Sequence, residues 1–148
     1  MTFHSINDPT HLCFVTASIV GWIHIFKESE YAEILLDSLK WMQKQERIPL
    51  FAFAIMPSHL HLIIKPEHST IGEVLQQFGS FTAHEILNRC RQNNRTEWLK
   101  IFQQKHRDLD TVTASGRIFK QRIFSQQVSS PRKWNISIKT LLPRNGNW

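Results

Sequence analysis

The segment Ala54-Ile55-Met56-Pro57-Ser58-His59-Leu60-His61-Leu62-Ile63-Ile64-Lys65-Pro66 carries the clearest structural signal in the chain. Apolar residues on both sides of a Pro-containing turn predict two strands paired as a tight antiparallel hairpin. Because side chains alternate across a strand, His59 and His61 are expected on one face. Two imidazoles so placed can bind one divalent cation. The competing interpretation is a pair of partly buried, hydrogen-bonded histidines without a metal.

The sequence around this hairpin predicts a mixed fold. Strands are predicted over residues 11–26 (a long strand or hairpin with a turn or bulge at Gly21), 49–55, 59–64 and 117–124 (an edge strand), and helices over 28–46, from an N-cap at Thr70 to about 92, and over 97–105. The order strand, helix, strand, strand, helix predicts an α+β fold, a ferredoxin-like or RRM-like antiparallel sheet with helices packed on one face. The other face would then be open to a ligand.

Length and composition limit the class of protein. A chain of 148 residues suits one domain with a substantial core. It contains no apolar run of about 18 residues, so no membrane span is predicted, and its start lacks the pattern of a secretory signal. Cys13 and Cys90 are too few and too widely separated for a zinc cluster or a disulfide framework. We therefore expect reduced thiols and a cytoplasmic protein.

Charge is distributed unevenly along the sequence. The net charge is +6, but residues 1–80 hold five Lys/Arg against eight Asp/Glu, whereas residues 81–148 hold thirteen against four. This asymmetry predicts an anionic partner for the second half. The basic residues there are interleaved with aromatic ones, a pattern of nucleic-acid binding proteins. The alternative is a solvated basic surface over core aromatics. The candidate DNA-binding residues are Arg89, Arg117, Lys120 and Arg122.

Four segments resemble the HUH single-tyrosine transposases, in particular the REP-associated tyrosine transposases and their insertion-sequence relatives. They are 26–63, which includes the Met-Pro-Ser-His-Leu-His block, then 77–83, 117–124 and 130–135. The resemblance covers roughly residues 11–135. It predicts an HUH transposase-like domain over residues 1–135, followed by a divergent tail, 136–148, that lacks the family's tyrosine helix.

The resemblance implies DNA transposition by metal-assisted cleavage and transfer of single-stranded or hairpin DNA. In this family the histidine pair and a Gln or Glu hold Mg²⁺ or Mn²⁺, which assigns His59 and His61 as metal ligands here. A tyrosine on the C-terminal helix attacks the phosphorus and forms a 5′-phosphotyrosine linkage. The resemblance also implies that a homodimer is possible, because some relatives supply the tyrosine from the neighbouring subunit.

The chain departs from the family at this nucleophile. Its single tyrosine is Tyr31, which matches a packing residue of the family, and the nucleophile is expected near Thr140, where the sequence has no phenol. No catalytic residue is therefore assigned. Our hypothesis is that the coding sequence decayed or shifted frame after about residue 135.

Three functional interpretations follow from the sequence. The first is a transposase-family protein that binds single-stranded or hairpin DNA and has lost strand cleavage. The second is a non-catalytic nucleic-acid-binding module of the same fold. The third is an unrelated metal-dependent phosphoesterase that uses His59 and His61.

Overall fold

The computed structural model of the protein describes residues 12–45, 49–65, 69–108 and 118–126. In chain order its elements are β1 (Leu12–Ile19), α1 (Ser29–Lys44), β2 (Leu50–Met56), β3 (His59–Ile64), α2 (Ile71–Gln92), α3 (Thr96–Asp108) and β4 (Phe119–Gln126), with short 3₁₀ turns at Val20–Trp22 and Ile25–Lys27 between β1 and α1. These elements confirm the predicted α+β class. Among the described residues, no helix combines the length and apolar character that a membrane span requires.

The four strands form one antiparallel sheet in the order β2-β3-β1-β4. Strands β2 and β3 are the predicted hairpin, joined through a two-residue turn at Pro57 and Ser58. Strand β4 lies at the sheet edge, as its alternating sequence predicted. Strand β1, the first in sequence, occupies an interior position between β3 and β4.

One face of the sheet is covered and the other is open. Alternate residues of β1 and β3 are buried, among them Val15, Ala17, Leu60 and Leu62. They join the buried residues of the helices in a single hydrophobic core, so α1, α2 and α3 pack on this side. The intervening residues of the two strands are partly or fully exposed on the opposite side. This division leaves that opposite face, called the open face below, available for a ligand.

Helix α2 begins where the sequence predicted. Thr70 Oγ1 accepts a hydrogen bond from the Glu73 backbone N–H at 3.2 Å, and the Glu73 carboxylate accepts one from the Thr70 backbone N–H at 2.9 Å. This reciprocal capping box satisfies donors that the first turn of a helix otherwise leaves unpaired. The helix continues through Gly79 without a break.

The prediction of a long strand or hairpin over residues 11–26 is wrong in extent. The strand ends at Ile19, and Gly21 and Trp22 both adopt left-handed backbone conformations, with φ of 76° and 55°. Two successive left-handed residues turn the chain away from the sheet. The chain is then held by a hydrogen bond from the Phe26 N–H to the Pro57 carbonyl at 3.0 Å. The expectation of a turn at Gly21 itself is confirmed.

Candidate metal centre and DNA-binding face

His59 and His61 stand side by side on the open face. Their neighbours Leu60 and Leu62 are buried in the core, so alternation places both imidazoles on the opposite side. The two ring centres are 4.8 Å apart, with the ring planes nearly perpendicular at 82°. The structure therefore confirms that the two rings share a face and lie side by side.

A hydroxyl group holds one nitrogen of each ring. Thr16 Oγ1 on β1 lies 3.0 Å from His61 Nδ1, and Ser58 Oγ in the hairpin turn lies 3.3 Å from His59 Nδ1. If Nδ1–H donates to the hydroxyl oxygen, the lone pair for a metal is on Nε2. Within the described part of the chain, neither Nε2 has a hydrogen-bond partner. This arrangement is the one that metal-binding histidines use, in which the second nitrogen fixes the orientation of the ring.

The protonation of His59 also suits a metal ligand. Partial burial, and secondarily the neighbouring charge of His61, hold the pKa of His59 below its ordinary value. A lowered pKa keeps the imidazole neutral at neutral pH. The neutral ring is the form that binds a metal ion.

The strand register brings basic positions into line with the histidines. Residues that pair across neighbouring antiparallel strands stand on the same face. One such row is Met56–His59–Ser18–Lys120, and the backbone register of the next row is Ala54–His61–Thr16–Arg122. Lys120 is exposed. Because adjacent strands are about 4.8 Å apart, the backbone of Lys120 lies about 10 Å from that of His59. From there, the long lysine side chain can reach a phosphate next to one that lies at the histidines.

Two aromatic rings flank the histidine pair. Phe14 of β1 stacks on His61, with ring centres 5.4 Å apart and an angle of 19° between planes. Trp22 presents an edge-to-face contact to His59 at 6.1 Å and 75°. Both aromatic side chains are exposed.

This open-face site lies within a segment that matches a known family. A protein-family model described as Transposase IS200 like matches residues 11–126, which include all four strands and the histidine pair. The chain belongs to the IS200-like transposase family. A search of curated proteins finds no match. Membership makes this a protein of the DNA transposase class with DNA as its partner, and the family is generally dependent on a divalent metal. The resemblance inferred from the sequence is thereby confirmed.

His59 and His61 offer two nitrogen donors that could hold a cation. Among the residues that the structure describes, no group of three or more His, Cys, Asp and Glu side chains converges. The donor chemistry of the histidine pair nevertheless fits a cation, because both rings face one side and each has its second nitrogen engaged. The remaining coordination positions need oxygen ligands, which Mg²⁺ and Mn²⁺ prefer.

Tyr31 of this IS200-like transposase occupies the position of a core residue. It lies on α1, on the covered side of the sheet, and is fully buried. Its hydroxyl oxygen accepts a hydrogen bond from Asn93 Nδ2 at 3.2 Å, and its ring contacts Trp98 edge to face at 5.6 Å. Burial raises the pKa of its phenol. Tyr31 is therefore not presented to DNA on the open face, as its expected packing role implies, and Thr140 lies outside the described residues.

The four candidate DNA-binding residues divide into three cases. Lys120 and Arg122 share rows with the histidines, whereas Arg117 lies outside the described residues. Arg89 lies on α2, where its guanidinium donates to the Glu30 carboxylate at 3.0 Å. The structure does not bring Arg89 to the histidine face. A DNA contact by Arg89 stays a prediction.

Sequence reasoning missed the groups that surround the histidines. Thr16, Ser58, Phe14 and Trp22 surround the histidine pair, and the sequence assigned none of them a role in the site. A weak signal was available, since Thr16 and Ser18 alternate with apolar residues along β1. The sequence does not show that Thr16 and Ser18 pair with the histidine positions of β3.

Proposed function

We propose that this IS200-like transposase binds single-stranded or hairpin DNA across the open face and forms no covalent bond to it. In this proposal His59 and His61 hold Mg²⁺ or Mn²⁺ at one backbone phosphate. The observation that carries the proposal is the pair of adjacent imidazoles whose Nδ1 atoms are held by Thr16 and Ser58. Family membership supports DNA as the partner.

The histidines contribute two nitrogen ligands, and the rest of the coordination shell is left to water and phosphate oxygen. The neutral state of His59 favours this role, since a protonated imidazole has no lone pair to share. When bound, the cation would polarise the phosphate and offset negative charge on its oxygens. The hydroxyls of Thr16 and Ser58 keep the two rings oriented toward that phosphate.

Lys120 and Arg122 supply the electrostatic part of the proposed DNA contact. Their rows continue across β1 from the histidine rows toward the sheet edge. DNA that meets the cation site would therefore have basic positions beside it, toward the sheet edge. Each phosphate neutralised releases counterions, so the affinity should fall steeply as salt rises.

Loss of cleavage is proposed because no tyrosine lies on the open face among residues 12–45, 49–65, 69–108 and 118–126. The single tyrosine of the sequence is buried on the other side of the sheet. An aliphatic hydroxyl such as that of Thr140 has a far higher pKa than a phenol and is a poor replacement. The expected product is a reversible DNA complex.

Titration of a fluorescent hairpin with a single-stranded flank, monitored by anisotropy, tests this proposal. We expect binding that exceeds binding to a fully paired duplex, that strengthens with Mn²⁺, and that loses the Mn²⁺ effect in His59→Ala/His61→Ala. Lys120→Ala should reduce the slope of log affinity against log salt by roughly 0.7, the value for one single-strand phosphate contact. Equal affinity for duplex, or no binding, would overturn the DNA-binding proposal.

A denaturing gel of the same mixture tests the second half of the proposal. No protein–DNA band should survive denaturation. A covalent band would show that cleavage chemistry persists. Hydrolysis of a small phosphoester that disappears in His59→Ala would instead favour the metal-dependent phosphoesterase.

A further inference from the structure

We infer that Trp22 and Phe14 are stacking platforms for unpaired bases on either side of the phosphate that the histidine pair addresses. The inference deepens the proposed function and rests on it. It assigns a binding role to two exposed rings, and it explains why the bound strand would have to be unpaired.

The four rings form a continuous row on the open face. In order they are Phe14, His61, His59 and Trp22, with successive ring centres 5.4, 4.8 and 6.1 Å apart. The histidines occupy the middle of the row and the two exposed aromatic rings occupy its ends. A strand whose phosphate meets the histidines would therefore carry its neighbouring bases toward Phe14 on one side and Trp22 on the other.

Trp22 is unusual in both exposure and backbone conformation. It is 65% exposed although it is a large aromatic residue, and its φ of 55° is in the region that L residues rarely adopt. The folded protein gains little burial from this ring. Strained residues that persist without a packing benefit concentrate at binding and active sites.

The turn that carries Trp22 is fixed to both neighbouring elements of the site. The Ile19 N–H donates to the Ser58 carbonyl at 2.9 Å, and the Val20 N–H donates to the Ile118 carbonyl at 2.9 Å. Gly21 packs closely against α3, since a Cβ at this position would lie 2.8 Å from Ile101 Cγ2. These contacts fix the backbone that carries Trp22 next to the hairpin turn that carries His59.

Phe14 is the corresponding exposed residue on β1. Its neighbours Cys13 and Val15 are buried in the core, and Phe14 is 40% exposed on the open face. Its ring lies nearly parallel to His61, at an interplanar angle of 19°, so it extends the flat surface of the histidine pair. Flat apolar rings beside cationic groups are the standard single-strand contact, because every base has a face that can stack.

Nucleic acid is favoured over a protein partner by what lies between and beside the rings. The pair of nitrogen ligands and the exposed Lys120 suit a phosphate, and neither suits the apolar centre of a protein interface. Stacking on both ends also requires unpaired bases. We therefore expect Trp22 and Phe14 to contribute more to single-strand binding than to duplex binding.

The test uses the full chain and compares Trp22→Ala and Phe14→Ala with Trp41→Ala. Trp41 is a matched control because it is also exposed, at 52%, but lies on α1 on the covered side. At fixed salt, each open-face variant should bind labelled single-stranded DNA roughly five- to a hundredfold more weakly, and the control should bind as the wild type does. Trp22→Phe should recover part of the loss. Thermal unfolding of each variant checks that it is folded.

Strands with one abasic nucleotide separate stacking from an indirect structural effect. An abasic nucleotide at the position whose base stacks on Trp22, found by moving it along the strand, should weaken binding to the wild type. The same abasic strand should bind Trp22→Ala no more weakly than the intact strand does. The salt slope should stay unchanged in this variant, since no charge is removed.

Each outcome decides the inference. Wild-type binding with no loss in Trp22→Ala and Phe14→Ala overturns the stacking role and leaves the proposed function intact. If Trp22→Ala weakens binding to intact and abasic strands by the same factor, the stacking role is also overturned. If the variants lose self-association but keep their DNA affinity, the two rings belong to a protein interface and the inference is overturned. If the wild type binds no single-stranded DNA, the proposed function and the inference fail together.

Discussion

Replacing Thr16 by Val should weaken metal binding while leaving the fold intact. The substitution exchanges a hydroxyl for a methyl group of nearly the same size, so it removes the partner that lies 3.0 Å from His61 Nδ1. Loss of such an orienting group costs roughly 10- to 100-fold in metal affinity. The site is partly exposed, so water can replace the hydroxyl in the metal-free protein. The free energy of unfolding should therefore change by under about 1 kcal/mol.

Mn²⁺ binding to the full chain can be followed by calorimetry or by the signal of the free ion. Thr16→Ser retains a hydroxyl and is the matched control, which should bind within a few-fold of the wild type. His61→Ala sets the baseline for a site with one histidine. If Thr16→Val binds Mn²⁺ as tightly as the wild type while His61→Ala does not, then the hydroxyl does not orient the ring and our account of the site is wrong.

Three further predictions concern the covered side and the turn. Hydrogen bonds from Asn93 and then Arg89 hold the pKa of Glu30 below its ordinary value of 4.5, so its stabilising effect is present above that pH and is lost as the pH falls through the folded-state pKa. In Glu30→Gln the free energy of unfolding should fall less steeply with pH below 4.5, by under about 1 kcal/mol in total. Urea melts at several pH values measure this, and the same pH dependence in the variant and the wild type would contradict the prediction. Gly21→Ala should destabilise the chain by about 2 kcal/mol or more in thermal melts, because φ is 76° and the new Cβ would meet α3 at 2.8 Å; an unchanged melting temperature would refute the described turn. Tyr31→Phe should cost about 1 kcal/mol of unfolding free energy through loss of the Asn93 hydrogen bond and should leave DNA binding unchanged. Weaker DNA binding by a stably folded Tyr31→Phe variant would refute its packing role.

The elements with a strong local pattern were predictable from the sequence. The strand at residues 59–64 matches β3, and Thr70 is the N-cap of α2 with its capping box. The shared face of His59 and His61 was predictable for the same reason, since alternation along one strand requires no knowledge of the rest of the chain. Family membership could also be inferred from such local motifs.

The end of β1 shows where local reasoning fails. Residues 19–26 are rich in β-branched and aromatic side chains, which favour a strand. The chain turns instead, because hydrogen bonds to Ser58, Pro57 and Ile118 replace those of a continued ladder. These partners lie far from Gly21 in the chain, so the local sequence around Gly21 cannot show that the strand ends there.

The sequence alone was sufficient for the helices, the hairpin and the pairing of the two imidazoles on one side of a strand. The setting of those imidazoles depended on long-range packing. Thr16 meets His61 across 45 residues of chain, and Lys120 joins the same surface only because β4 pairs with β1 in one particular register. Alternation and helix capping are governed by neighbours in the chain. Strand order and register are set by the burial of a whole sheet face, which involves distant residues at once.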